Sequence, residues 1–353
     1  MSDFRIDKIT NRDGSAGTQI AGISTFSGTS GMVMPSGPTE YRGGRGRGVL
    51  GSGGVSPNTP TNSLNYITIA TTGNAVDFGD DIVNRGGGCA SFASETRGIW
   101  AGGYAYPGNT RQTSIDYVTI SSQGGVSDFG DLRTSVYGNA GFSDSTRGIS
   151  GGGYHHPDST GYIEYVTIAS TGNASEFGEF NVLNGQTASV SSYDSYLPSA
   201  CSSNTRGLWA NGSKTDKMGN TIQYVTIQTR GNSIDFGDSA QLVRGGAGCS
   251  SPTRGLFGGG NITSPGGNSD MIEYVTIASL GNAGDFGNLV STQKLLGACS
   301  SHTRGVWAGG VDPNTNVIQY ITIASTGNAI DFGDLTWAGG YRCGFSDCHG
   351  GLA

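Results

Sequence analysis

Apolar residues in this chain come in short clusters rich in Val, Ile, Tyr and Phe, and Gly, Asn or Ser closes off each cluster. This is the pattern of short strands joined by tight turns, because helical stripes would recur every three or four residues over longer stretches. The stretch Tyr165-Val-Thr-Ile168 alternates imperfectly: Tyr and Thr point one way, Val and Ile the other. Both faces of such a strand need cover, so its sheet is expected to lie between two others.

The clusters recur in a fixed order. An Arg-Gly pair opens an apolar strand at Arg47, Arg97, Arg147, Arg206, Arg254 and Arg304, with spacings of 50, 50, 59, 48 and 50. Each unit then reads alike: Arg-Gly-apolar-apolar-x-Gly-Gly, a variable loop, Ile-x-Tyr-Val-Thr-Ile, and a Ser-Thr-Gly-Asn-Ala turn. Asp-Phe-Gly-Asp follows, then a second variable loop and a stretch ending Cys-Ser-Ser-x-Thr-Arg. Four short strands per unit, six times over, predict an all-β chain folded as a six-bladed β-propeller. Reading begins in a second strand at Arg47 and ends in a first strand near Cys343 to Cys348. The C-terminal strand is therefore expected to join the N-terminal blade and close the molecule, removing two sheet edges. The expected division is an extended arm over 1–40 and the propeller over 41–353.

The repeated residues carry structural expectations. Phe78, Phe129, Phe177, Phe236, Phe286 and Phe332 occupy the Asp-Phe-Gly-Asp position and are expected as buried wedges between blades. The same triplet marks a magnesium loop in protein kinases, but the other kinase motifs are missing. Arg97, Arg147, Arg206, Arg254 and Arg304, with Arg47, are expected to pair with carboxylates of their own or a neighbouring blade at the second acidic position, which holds Asp80, Asp131, Glu179, Asp238, Asn288 and Asp334. Five residues before each anchor, Phe92, Phe142, Cys201, Cys249, Cys299 and Phe345 exchange Phe for Cys, which implies an apolar buried site. All six cysteines are expected as free thiols, Cys89 with Cys343 being the one conceivable pair.

Composition narrows the function. The 353 residues include 63 Gly, charged residues make up 13%, and net charge is −7, which disfavours broad attraction to nucleic acid or anionic membrane. No apolar run approaches the ~20 residues of a membrane helix, and Met1 to Thr10 lacks the apolar core of a signal peptide. The four His show no metal-ligand spacing, so no metal, no cofactor and no enzymatic activity are expected. The Arg-Gly segment Tyr41 to Arg47 is too slight for an RNA-binding tract. The Asn-x-Ser/Thr triplets at Asn173, Asn211 and Asn261 are unsurprising in such a chain.

Loops after strands one and three are nearly uniform among the units, whereas loops after strands two and four vary. The variable face is the expected binding face. It carries Tyr104, Tyr106, Tyr154, His155 and His156, the Lys214 to Met218 loop, and the longest loop, Gly185 to Ser199, with Tyr193, Asp194 and Tyr196. Aromatic side chains with Asn and Ser suit sugars or protein surfaces. Residues 1–40 have too little apolar content for a core of their own and are read as an anchoring arm.

Arg304-Gly-Val-Trp-Ala-Gly-Gly310, Ile-Gln-Tyr320 and Asp331-Phe-Gly-Asp334 resemble the kelch repeat, with Phe replacing the usual Trp. The units Tyr165-Val-Thr-Ile-Ala-Ser-Thr-Gly-Asn-Ala174 and Asp331-Phe-Gly-Asp-Leu335, and the leader Asp7-Lys-Ile-Thr-Asn-Arg12 to Tyr41, resemble repeat-built structural proteins of tailed phages, especially those of marine cyanobacteria. The resemblance spans essentially the whole chain. It implies a virion protein assembled in the host cytoplasm and released by lysis, a tail-fibre or surface-fibre adhesin. Its arm would bind other virion proteins and its propeller a host-surface glycan or protein. A head-decoration or tail-connector protein and a polysaccharide-degrading enzyme are the alternatives, and assembly as a homo-oligomer stays open.

Overall fold

The computed structural model describes residues 26–27, 31–32, 46–54, 60–106, 108, 110–155, 158–159, 161–180, 196–214, 217–262 and 266–352. The arm expected over 1–40 lies outside them, apart from an antiparallel pairing of Phe26–Ser27 with Gly31–Met32. The described chain is all-β: antiparallel strands, one short 3-10 turn at Gly350–Leu352, and no α-helix among the described residues.

Six antiparallel sheets correspond to the six units, and in units 3 to 6 each has four strands in sequence order. Unit 3, for example, consists of Ala140–Ser143, Arg147–Gly151, Tyr162–Thr167 and Ser175–Glu179. Unit 2, with first strand Ala90–Ala93, is extended by Arg85–Gly87 and Tyr104–Ala105. Unit 1 is assembled from distant parts of the chain: Cys343–Ser346 pairs with Arg47–Gly54, matching Gly48 to Ser346 and Gly51 to Cys343. The first strands neighbour one another in order, unit 1 beside unit 2 and so on, and the first strand of unit 6 lies beside that of unit 1.

Junctions between units hold the core. The six Asp-Phe-Gly-Asp phenylalanines are buried, each edge-on to the Tyr of its own third strand at 5.7–6.2 Å. Each reaches the next unit as well: Phe236 packs with Val275 and Ile277, and Phe286 with Ile321 and Ile323. The Phe/Cys position is buried as expected and meets the Gly of the neighbouring Arg-Gly pair. A Cβ on Gly207 would fall 1.7 Å from the Phe142 ring, and one on Gly255 would fall 2.6 Å from Cys201 Sγ. First strands are stitched by serines: Ser143 Oγ donates to Ala93 O at 2.6 Å, Ser202 to Ser143 O at 2.8 Å, Ser250 to Ser202 O at 2.7 Å and Ser300 to Ser250 O at 2.8 Å.

Two expectations are corrected. The repeated arginines do not pair with the motif carboxylates among the described residues. Each lies over its own unit's Tyr at 4.5–4.8 Å and donates from Nη1 to a main-chain carbonyl of the next unit. Examples are Arg147 to Ile227 O at 2.9 Å, Arg254 to Ile323 O at 2.9 Å and Arg304 to Ile69 O at 3.0 Å. Topology forbids the expected pairing. The Arg begins the second strand and the acid ends the fourth, and these two strands run in the same direction, so the groups sit at opposite ends of a sheet ~13 Å long. The second correction concerns the thiols: Cys89 and Cys343 form a disulfide, with Cα atoms 6.1 Å apart, across the junction of units 1 and 2. Cys201, Cys249, Cys299 and Cys348 are free and buried.

Candidate functional site

The variable loops emerge where first strands begin and second strands end. There a chain of main-chain hydrogen bonds links the units. Gly138 N donates to Gly88 O at 2.6 Å, Leu197 to Gly138 at 2.7 Å, Gly245 to Leu197 at 2.9 Å, Leu295 to Gly245 at 2.6 Å and Tyr341 to Leu295 at 2.7 Å. All five donors are left-handed, with φ between 56° and 70°. For Leu197, Leu295 and Tyr341 this is an uncommon and costly conformation, maintained by the bond each makes to its neighbour. These residues form a collar over a cavity of about 100 Å3 lined by small first-strand residues such as Ser91, Gly141 and Ala200. That volume holds a few waters and is well below the ~300 Å3 typical of small-molecule pockets. The opposite end is covered by Gly350–Leu352, which lies against the first strands of units 3, 4 and 5. Beside it, the half-buried His349 points Nε2 at Ala93 O (3.0 Å) and accepts Gly351 N at Nδ1 (3.1 Å). Burial pushes its pKa down to about 4.

Above the collar the rim is aromatic on one side. Tyr104 meets Tyr106 at 5.2 Å and Tyr137 at 5.1 Å; Tyr137 meets Tyr154 at 5.6 Å and Tyr196 at 5.3 Å; Tyr154 meets Tyr196 at 6.3 Å. Contacts are tilted or edge-on, and each of these tyrosines is half-buried and keeps part of its surface in solvent. The Arg111 guanidinium stands over Tyr154 at 5.1 Å. Burial beside other phenols pushes the Tyr106, Tyr196 and Tyr341 pKa values up, so these hydroxyls stay neutral donors.

Four of the eight residues singled out from the sequence, Tyr104, Tyr106, Tyr154 and Tyr196, therefore share one cluster. His155 stands apart from it, with Nδ1 2.8 Å from Ser135 O. His156, Tyr193 and Asp194 lie outside the described residues. Sequence reasoning missed Tyr137, Arg244, Lys294 and Tyr341. The signal was present: Tyr137, Tyr196, Arg244 and Lys294 each stand ten residues before an Arg anchor, directly preceding the collar residue. Main-chain pairing brings each against the residue that follows the double Gly, or Asn211-Gly212 in unit 4: Tyr137 with Tyr154, Tyr196 with Ser213, Arg244 with Asn261 and Lys294 with Val311.

Among the described residues, no three His, Cys, Asp or Glu side chains gather as metal ligands. What the rim can do chemically is stack a flat or apolar face, donate hydrogen bonds and attract negative charge. No family model and no curated protein matches this chain.

Proposed function

We propose that this chain is a non-catalytic virion protein of a tailed phage, a six-bladed β-propeller of kelch-like blades acting as a tail-fibre or surface-fibre adhesin. The propeller reading is supported by the succession of first strands from unit 1 to unit 6 and back, and by the strand Cys343–Ser346 completing the sheet of Arg47–Gly54. The observation that carries the binding role is the gathering of tyrosines from units 2, 3 and 4 on the face where the units differ most. An architectural position would be filled alike in every unit, as the Phe and Arg positions are. The ligand is a host-surface glycan or protein, because neutral phenols and ring faces bury area at low entropy cost. The N-terminal segment binds other virion proteins in this reading.

Competition tests the role. The purified full chain is expected to block adsorption of particles carrying it, and Tyr137→Ala is expected to weaken the block at least tenfold with an unchanged melting curve. Adsorption indifferent to saturating protein, with the chain located on the head shell by immunogold labelling, would transfer the reading to a decoration protein.

A further inference from the structure

The rim is not aromatic throughout. The position before the collar holds Tyr137 and Tyr196 in units 3 and 4 but Arg244 and Lys294 in units 5 and 6, so one sector stacks and the next is cationic. The collar sets the two sectors side by side: Gly245 N donates to Leu197 O at 2.9 Å, so Arg244 and Tyr196 each stand one residue before a member of this bonded pair, and Tyr341 N binds Leu295 O at 2.7 Å next to Lys294. Among the described residues no carboxylate forms an ion pair with Arg244. Lys294 Nζ holds Asp312 at 2.7 Å, but that carboxylate is 70% exposed and can exchange for a ligand anion. Next to Tyr341, Arg342 is only 5% exposed. It gives Nε to Gly339 O at 3.2 Å and Nη2 to Trp337 O at 2.8 Å, while Nη1 is buried with no hydrogen-bond partner. Its guanidinium lies over the Trp337 ring at 3.4 Å, and among the described residues no carboxylate forms an ion pair with it, so a third basic side chain stands at the collar of an otherwise acidic protein.

We propose that this rim is a subsite for an acidic sugar residue of a surface polysaccharide, with the apolar face of the sugar against Tyr137 and Tyr196 and its anionic group on Arg244. The inference rests on the reading of this face as the binding face and names the class of ligand. The aromatic sector alone would take neutral sugars equally well; the adjoining cations favour a ring bearing a charged substituent. A carboxylate and a sulfate ester share the chemistry that Arg244 recognises. A net charge of −7 disfavours long, densely charged polyanions, so the charge that counts is the one placed locally on the sugar.

Calorimetric titration of the full chain tests this with trigalacturonate, its methyl ester, a 6-sulfated galactose trimer and unsulfated galactotriose. At least one charged trimer is expected to bind ten times more tightly than its neutral counterpart, and the sulfated and carboxylated arms identify the anion. Arg244→Gln should erase that preference while leaving the neutral affinity within twofold, and Tyr137→Ala should weaken both. The preference should also fall as sodium chloride rises. Equal affinity for charged and neutral trimers, a preference that survives Arg244→Gln, or no sugar binding at all overturns the subsite. Adsorption blocking without any sugar preference sinks the subsite and keeps the adhesin; a preference without blocking does the reverse.

Discussion

Glu164 sits 6% exposed on the third strand of unit 3, where its Oε2 accepts Arg133 N at 3.1 Å and its Oε1 has no partner. Burial pushes its pKa from the ordinary 4.5 up to about 7. An acid that holds its proton more tightly when folded makes stability fall as pH climbs between those values, and the loss persists above them. The equivalent residue in unit 6 is Gln319, whose Oε1 accepts Val290 N at 2.6 Å, so an amide already does the same task elsewhere in the molecule. Glu164→Gln is therefore expected to raise stability near pH 8 by up to about 3 kcal/mol and to change little near pH 4. Denaturant melts at the two pH values measure this, and parallel gains at both would show that the charge is not the cause. His349 acts in the opposite sense. Its folded pKa of about 4 lies below the ordinary 6.5, so its contribution is complete above 6.5 and is lost as pH falls through that interval.

At the scale of the element, the most repeated turn is also the most interactive. In five of the six units the Gly and Asn of the turn after the third strand bind the fourth strand of the preceding unit, as where Gly281 N donates to Phe236 O at 2.9 Å and Asn282 Oδ1 accepts Asp238 N at 3.0 Å; unit 2, with Gly125 in place of the Asn, keeps only the Gly124 bond to Phe78 O. The Gly of Asp-Phe-Gly-Asp allows this approach, since a Cβ on Gly237 would lie 2.4 Å from Gly281 O. Asn282→Ala is expected to cost about 1 kcal/mol, the net worth of one hydrogen bond, and Gly237→Ala about 1–3 kcal/mol through steric overlap. Thermal unfolding of the two variants ranks them, and a neutral Gly237→Ala would contradict the contact.

The antiparallel order of the repeated strands, the buried Phe wedges and the Phe/Cys exchange were legible, because each follows from local periodicity repeated six times, whereas the short strands within the variable loops, such as Tyr154–His155 with Asp158–Ser159, were not. The partners of the repeated Arg were not. Side-chain type indicates that Arg seeks negative charge, but only strand direction reveals that the carboxylates stand at the far end. The candidate site was half legible. Tyr104, Tyr106 and Tyr154 announce themselves in variable loops. Tyr137 and Arg244 sit in nearly regular chain, and only an alignment in register from the Arg anchors exposes them.

The whole molecule depends on its junctions, and the one between units 1 and 2 carries a covalent tie. Titration of the denatured, unreduced protein is expected to find four thiols, those of Cys201, Cys249, Cys299 and Cys348. In the native protein near pH 8 none should react readily with iodoacetamide, because burial pushes the Cys299 thiol up to about 12 and raises Cys201 and Cys249 as well. Six reactive groups after denaturation would remove the tie.

The strand Cys343–Ser346 also bears on how the protein is made. Asp347 Oδ1 accepts Arg47 N across a separation of 300 residues, so of the six sheets the one begun at Arg47 is finished after the other five have been synthesised. Until then the growing chain presents the bare edge of Arg47–Gly54 to every other nascent copy, which is the template on which strands mispair. Translation products that stop short of this segment keep that edge. They should appear in the insoluble fraction, whereas a chain that carries Cys343–Ser346 covers this edge.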